Sequence, residues 1–155
     1  MPPRQIVDFL DSEKIQYEVL PHMRTYTAQG VAASLHVRGR EFAKSVILKT
    51  RDGRLAMAVV PAPRPVDLRA AEAALGAKVE LAREGEFADR FAGCEVGAEP
   101  PFGNLYGMPV YVDESLREDP EIVFNAGTHS EAIRMRYVDF ERLVHPAVTP
   151  LSRAN

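Results

Sequence analysis

The chain has little cysteine, no long apolar run and almost no net charge. Cys94 is the single cysteine of 155 residues, and no second cysteine or histidine lies near it at the spacing of zinc ligands. No stretch of about 18 consecutive apolar residues occurs, and charges interrupt the apolar positions of the N-terminus. The sequence therefore argues against a cysteine-rich metal site, a membrane span and a signal peptide, and we expect a reducing, cytoplasmic setting.

The short motifs of several common cofactor enzymes are also missing. The sequence has no GxGxxG after a strand, no GxxxxGK[ST], no HExxH and no GxSxG. Dinucleotide-binding, P-loop, zinc-protease and serine-hydrolase chemistries each lack their residues. We therefore expect neither a cofactor nor a metal ion.

Length and composition are those of an ordinary globular domain. The 155 residues are 46% hydrophobic and 26% charged. A chain of this size buries roughly 68 to 70% of its unfolded surface, which supports a core without disulfides or metal. No internal repeat, linker or low-complexity segment interrupts it. Residues 1–155 are therefore expected to form a single domain.

Charge is distributed unevenly although the net charge is only -3. Residues 24–54 hold seven basic and two acidic residues, a local charge of +5, whereas residues 80–121 hold three basic and eleven acidic residues, a local charge of -8. The total argues against a generic basic nucleic-acid coat. The basic segment favours a local phosphate contact, and solvated loop charge is the alternative interpretation.

Hydrophobic periodicity predicts short helices interleaved with short strands. The pair Asp52-Gly53 between two β-rich runs predicts a hairpin. Asp67 and Gly76 are typical caps of a helix that lies between them. Helices are predicted over 3–14, 27–37, 68–75, 84–91 and around 140–144. Strands are predicted over 17–20, 44–50, 55–60, 79–81, 110–112, 122–124 and 132–137, with a glycine turn at 125–129. Because hairpins exclude an all-parallel sheet, the fold class is a single mixed α/β domain.

Lys44 is the first candidate functional residue. It opens a predicted strand and points to the same side as Val46, a side that carries core residues. A lysine at the mouth of a strand can reach into a cleft and act as a point charge toward a phosphate or carbonyl oxygen. A strand-end lysine that extends to water is the alternative.

Two glycine-containing segments are further candidates. The loop Gly97–Gly103 combines prolines that fix φ with glycines that let the backbone approach a ligand, so its N–H groups are suited to an oxyanion. The segment Asn125–His129 places small residues before a histidine, which suits the floor of a pocket. A loop built only for packing and a surface histidine are the respective alternatives. Cys94 is interpreted as a small buried residue rather than a catalytic thiol.

Together these segments resemble the YbaK-type aminoacyl-tRNA deacylases, the free-standing relatives of the editing domain inserted in bacterial prolyl-tRNA synthetases. The resemblance covers nearly the whole chain, through TYTAQGVAASL, AKSVILKT, VVPAPRPVDL, ALGAKVEL, VGAEPPFG and FNAGTHSEAIRM. It implies a curled, largely antiparallel sheet flanked by helices around a cleft. It also implies hydrolysis of the ester that joins a small, mischarged amino acid to the terminal ribose of tRNA.

The resemblance assigns roles to particular residues. Lys44 is implied to hold the terminal phosphate or polarise the carbonyl, and the N–H groups of Gly97 and Gly103 to receive negative charge. The residues implied to bind the substrate are Pro101, Phe102, Gly127, Thr128 and His129. Within the basic segment, the expected tRNA contacts are Arg38, Arg40 and Lys49.

The expected partner is the acceptor end of a mischarged tRNA, with a transient synthetase contact as a further possibility and no membrane. The loop departs from its relatives at residues 99–102, which leaves the amino acid open. Two other functions stay open beside the deacylase: a non-catalytic tRNA- or synthetase-binding module on the same fold, and a small-molecule amidase or esterase.

Overall fold

Two long strands joined by a tight turn lie at the centre of the sheet. A computed structural model describes residues 3–21 and 41–153. In it, β2 (Phe42–Thr50) pairs antiparallel with β3 (Leu55–Pro61) across a turn that contains Gly53. The predicted hairpin is confirmed, and both strands extend beyond the predicted ends.

Eight strands in the described ranges form one open, mixed sheet. Besides β2 and β3 they are β1 (Tyr17–Pro21), β4 (Val79–Leu81), β5 (Val110–Asp113), β6 (Glu121–Thr128), β7 (Glu131–Arg136) and β8 (Ala147–Thr149). Their order is β1-β7-β6-β2-β3-β5-β8, and β4 pairs with the far end of β2. Four of the strand pairs are antiparallel and three are parallel, so the mixed α/β class is confirmed.

The described helices are short. They are α1 (Arg4–Ser12), α2 (Leu68–Leu75), α3 (Glu84–Phe87) and α4 (Tyr137–Val144). The caps of α2 are those predicted: Asp67 accepts the backbone N–H groups of Arg69 and Ala70, and Gly76 ends the helix. None of these four helices has the length and apolar character that crossing a membrane requires. The helix predicted over 27–37 lies outside the described residues.

The two faces of the sheet carry different cores because successive side chains of a strand alternate between faces. On the first face, Ala43 and Ile47 of β2 join the large aromatic core, which contains Phe102, Phe124 and Phe140. On the second face, two smaller clusters surround Phe42 and Leu48, which lie on either side of Lys44 and Val46. Lys44 therefore belongs to the less filled face.

The glycine turn predicted at 125–129 is wrong. β6 continues to Thr128, and its pairing with β7 shifts register between Asn125 and Thr128. Gly127, with φ of +89°, lies in this irregular stretch, so the glycine marks a bulge within the strand rather than its end. The chain reverses afterwards, at His129 and Ser130.

Two further differences lie near the C-terminus. Tyr137 begins α4 instead of ending a strand, and its N–H donates to the carbonyl of Pro120. β8 was not predicted, because its three residues form a strand only through non-local pairing with β5.

Candidate functional site

Lys44 is a half-buried cation on the second face of the sheet. It pairs in register with Val60, which holds its backbone in the middle of the sheet. Among the described residues, no carboxylate forms an ion pair with its ammonium group. Burial lowers the pKa of Lys44, because leaving water disfavours its charged form. This side chain is thus a cation without a counter-charge in the described part of the chain.

Asn125 lies beside Lys44 on the neighbouring strand. The parallel pairing of β2 with β6 ends at Ala43 and Phe124, and one further step along each strand leads to Lys44 and Asn125, which alternation puts on the same face of the sheet. Asn125 is only 9% exposed, and its Oδ1 has no hydrogen-bond partner among the described residues. An unsatisfied buried polar atom is uncommon in proteins and points to a functional use. The sequence placed Asn125 in a candidate segment but gave it no role.

A cleft of about 690 Å³ opens at Lys44. It brings together residues from β2, the chain before α2, the first turn of α2, β4 and the C-terminal segment. Sequence reasoning missed both arginines in it, Arg69 and Arg153, because only the folded chain brings them to Lys44. The described residues that line the cleft are Lys44, Val46, Pro65, Val66, Asp67, Leu68, Arg69, Leu81 and Arg153.

The segment 95–98 runs along the bulge of β6. The N–H of Glu95 donates to the carbonyl of Gly127 at 2.8 Å, and the N–H of Gly127 donates to the carbonyl of Ala98 at 2.9 Å. A Cβ at Gly127 would lie 2.4 Å from Pro3, so only glycine fits there without displacement. The structure therefore joins two segments that the sequence predicted separately as parts of one site.

His129 completes this junction. Its backbone N–H donates to Glu95 Oε1 at 2.9 Å, and its Nε2 lies 2.7 Å from the carbonyl oxygen of Val96. Because a carbonyl only accepts, Nε2 carries the proton in this hydrogen bond. His129 is 4% exposed, so it is a buried residue of the junction and not a surface histidine.

One of the two predicted oxyanion donors, Gly97, is engaged within the protein. The Gly97 N–H donates to Glu99 Oε2 at 2.9 Å, and Glu99 is buried, which raises the pKa of its carboxyl group. Gly103 is buried, and a Cβ there would lie 2.9 Å from Val110. The proposed role of these N–H groups stays a prediction, and for Gly97 it requires release of Glu99.

Pro101 and Phe102 are buried behind the loop rather than presented on its surface. The ring of Phe102 lies 5.5 Å, centre to centre, from those of Phe124 and Phe140. Neither Gly97–Gly103 nor Gly127–His129 lines the cleft at Lys44 among the described residues. The structure thus separates the predicted substrate residues into a hydrogen-bonded junction, containing Gly127, Thr128 and His129, and a core segment behind it.

The expected tRNA contacts are only partly described. Arg38 and Arg40 lie outside the described residues. Lys49 forms an ion pair with Glu86, which raises the pKa of Lys49 and compensates its charge. A direct phosphate contact of Lys49 stays a prediction and would compete with this pair.

Cys94 and possible metal ligands complete the set of candidates. Cys94 is half-buried, with Sγ 3.7 Å from the hydroxyl oxygen of Tyr106, and burial raises the pKa of its thiol. A raised pKa disfavours the reactive thiolate. In residues 3–21 and 41–153, no three His, Cys, Asp or Glu side chains are grouped as metal ligands would be.

Known proteins share both sequence features and the fold. The family model described as "Aminoacyl-tRNA editing domain" matches residues 22–143. A solved structure proposed as a trans-editing enzyme for prolyl tRNA synthetase has a TM-score of 0.82 and 23% identity, covering 97% of this chain and 96% of that one. The hypothetical protein APE2540 has a TM-score of 0.87 and 20% identity, with coverages of 96% and 99%. No curated protein matches the chain.

A longer protein contains the same fold. A protein from Marinobacter aquaeolei VT8, proposed to act in signal transduction, matches with a TM-score of 0.77 and 18% identity. The match covers 99% of this chain but only 31% of that one. At these identities the structural matches establish the fold alone.

Proposed function

Because the chain belongs to the aminoacyl-tRNA editing domain family, we propose that it is a trans-acting deacylase of mischarged tRNA. It would hydrolyse the ester between a small, wrongly attached amino acid and the terminal ribose. The observation that carries this proposal is the placement of Lys44, a half-buried cation at the edge of a cleft, with no counter-charge among the described residues. Such a group stabilises negative charge more strongly than an exposed lysine does.

The reaction requires few catalytic groups from the protein. An aminoacyl ester is already activated, so a positioned water molecule and stabilisation of the oxyanion are sufficient, and the vicinal hydroxyl of the ribose can orient the water. Lys44 holds the terminal phosphate or polarises the ester carbonyl. The amide of Asn125, beside it on the same face, supplies a further hydrogen-bonding group at this point.

Selection of the amino acid is steric in this proposal. The hydrogen-bonded junction of segment 95–98 with the bulge of β6 is a rigid wall, because Gly127 is held on both its N–H and its carbonyl. A rigid wall admits a small side chain and rejects a larger one, as the second site of an editing system must. The wall would bound the amino-acid pocket through the partly exposed Thr128, with Gly127 and His129 buried behind it.

Incubation of the purified protein with a panel of preformed aminoacyl-tRNAs tests the function. We expect release of one or a few small amino acids at a rate well above spontaneous hydrolysis, and no release of bulky ones. Lys44→Ala is the control for contaminating activity, and free aminoacyl esters are the control for the requirement for tRNA.

Each other outcome identifies a different function. Binding of tRNA without release of any amino acid would indicate a non-catalytic module. Equal turnover of free esters and aminoacyl-tRNA would indicate a small-molecule esterase, and either result would refute the deacylase proposal.

A further inference from the structure

The cleft at Lys44 carries an excess of positive charge. Its lining includes three cations, Lys44, Arg69 and Arg153, and one carboxylate, Asp67. The carboxylate is committed to the helix, since Asp67 Oδ1 accepts the N–H groups of Arg69 and Ala70 at 3.0 and 3.2 Å. In the described part of the chain neither guanidinium forms an ion pair, so both are available to an anion.

Hydrogen bonds of the C-terminal segment hold the backbone of Arg153 at the cleft. Ser152 forms an antiparallel bridge with Val66, and the N–H of Arg153 donates to the carbonyl of Pro65 at 3.1 Å. The N–H of Asp67 donates to the carbonyl of Leu151 at 2.7 Å, and Leu151 is fully buried. The C-terminal segment therefore fixes the backbone of Arg153, whose side chain lines the cleft with Lys44.

Apolar side chains line the cleft together with the cations. Leu68 is 37% exposed and Leu81 is 57% exposed, and both line the cleft with the half-buried Val46 and Val66. Exposed leucines beside arginines that are open to an anion suit a ligand that alternates apolar and anionic groups. A single-stranded nucleic acid has this character, since its bases and sugars alternate with phosphates.

We propose that Arg69 and Arg153 bind the phosphates of the single-stranded acceptor end of tRNA, while Leu68 and Leu81 contact the sugar or base between them. This inference rests on the proposed function, and it assigns phosphate contacts to two arginines that lie outside the basic segment 24–54. Because Lys44 lines the same cleft as the two arginines, an acceptor end bound there has its terminal ribose close to Lys44. The planar guanidinium suits this task, because it contacts two phosphate oxygens at once.

The test measures binding separately from hydrolysis. The probe is an uncharged acceptor-stem RNA hairpin ending in CCA, followed by fluorescence anisotropy over a range of salt concentrations. The variants are Arg69→Gln, Arg153→Gln and their double variant. Arg136→Gln is the matched control, because Arg136 is an exposed arginine at the end of β7 and does not line this cleft.

The double variant should raise Kd roughly tenfold at moderate salt, since both phosphates would give up a charge-assisted hydrogen bond. The slope of log K against log salt should become shallower by roughly 0.7 for each phosphate that is no longer neutralised. The control should match the wild type. Arg69→Lys and Arg153→Lys should recover the salt slope, and removal of the CCA end should abolish the difference between wild type and double variant.

The outcomes separate this inference from the proposed function. If the wild type binds the RNA through both arginines but releases no amino acid, RNA binding by the cleft is supported and the deacylase function is refuted. If the wild type deacylates but the double variant keeps the Kd and the salt slope of the wild type, RNA binding by the two arginines is refuted. A deficit that persists on RNA without CCA also refutes it, because the arginines would then contact another part of the tRNA.

Discussion

His129 lies directly against Gly97, and each residue depends on the other. A Cβ at position 97 would lie 3.3 Å from Cε1 of His129 and 3.6 Å from its Nε2, the atom that donates to the carbonyl of Val96. Gly97 also has φ of +87°, a region that favours glycine. The imidazole can reach the Val96 carbonyl because no side chain stands between them.

Gly97→Ala is therefore expected to lower activity through His129. The backbone strain should reduce the free energy of unfolding by about 1 to 2 kcal/mol. The new methyl should also displace the imidazole by a few tenths of an ångström, which loosens the wall of the proposed pocket. Single-turnover deacylation of the preferred substrate and of a bulkier one measures the loss of rate and of discrimination.

Gly53→Ala is the matched control for this prediction. Gly53 has nearly the same φ, +90°, but nothing lies within 4 Å of the position of a Cβ. It should show the same loss of stability with unchanged deacylation. Equal activity and discrimination of the two variants would show that His129 does not contribute to substrate selection.

Lys44→Ala should abolish most deacylation and leave the fold intact. The ammonium group has no ion-pair partner among the described residues, so its removal leaves no buried charge unpaired. Lys78→Ala, at a largely exposed lysine that does not line the cleft, is the control for removal of a lysine. Urea unfolding and single-turnover rates are measured together, and full activity at unchanged stability would remove Lys44 from the mechanism.

The lowered pKa of Lys44 predicts a dependence of stability on pH. The unfolded lysine has the usual pKa of about 10.4 and binds a proton at pH values where the buried one has begun to lose it. Stability should therefore rise as the pH rises from the lowered folded value toward about 10.4. Lys44→Met should lack this rise. Parallel curves for wild type and variant in urea unfolding between about pH 7 and 10 would contradict the burial of the charge.

The sequence predicted correctly those elements of the fold that depend on contacts between residues close together in the chain. Asp67 and Gly76 locate α2 to the residue because a helix cap is a contact between near neighbours. Gly127 was misread, since a glycine at a bulge and a glycine at a turn look alike before the pairing of the strand is known. The cleft at Lys44 was expected but its two arginines were missed, because Arg69 and Arg153 join Lys44 in the lining only after the C-terminal segment docks beside Val66.

Asn125→Leu should separate function from stability. The buried Oδ1 lacks a partner among the described residues, so replacing the amide with an apolar group of similar volume should leave the free energy of unfolding unchanged or raise it. Deacylation should fall, since the amide beside Lys44 would no longer meet the substrate. Asn104→Ala, at an exposed asparagine, is the control. A destabilised variant with full activity would show that Asn125 serves the core.

Asp113 connects the core of the sheet to the arginine of the cleft. Its Oδ1 accepts the N–H groups of Leu151 and Ser152 at 2.8 and 2.9 Å, and its other oxygen accepts from Ser115. Burial alone would raise the pKa of Asp113, but these hydrogen bonds outweigh burial and lower it. The carboxylate therefore holds the C-terminal segment in place at neutral pH.

Asp113→Ala should cost about 2 to 4 kcal/mol at neutral pH, because two backbone N–H groups lose a buried acceptor. A folded pKa below the unfolded value of about 3.9 means that this contribution is complete above that value. It is lost as the pH falls through the folded pKa, so the difference from wild type in urea unfolding should shrink below about pH 4. Glu114→Ala, next to it and exposed, should show neither effect.

Release of the segment also frees Arg153, so Asp113→Ala should weaken binding of the CCA-ending hairpin as Arg153→Gln does. A variant that is destabilised yet binds the hairpin like wild type would show that Arg153 does not need its fixed position.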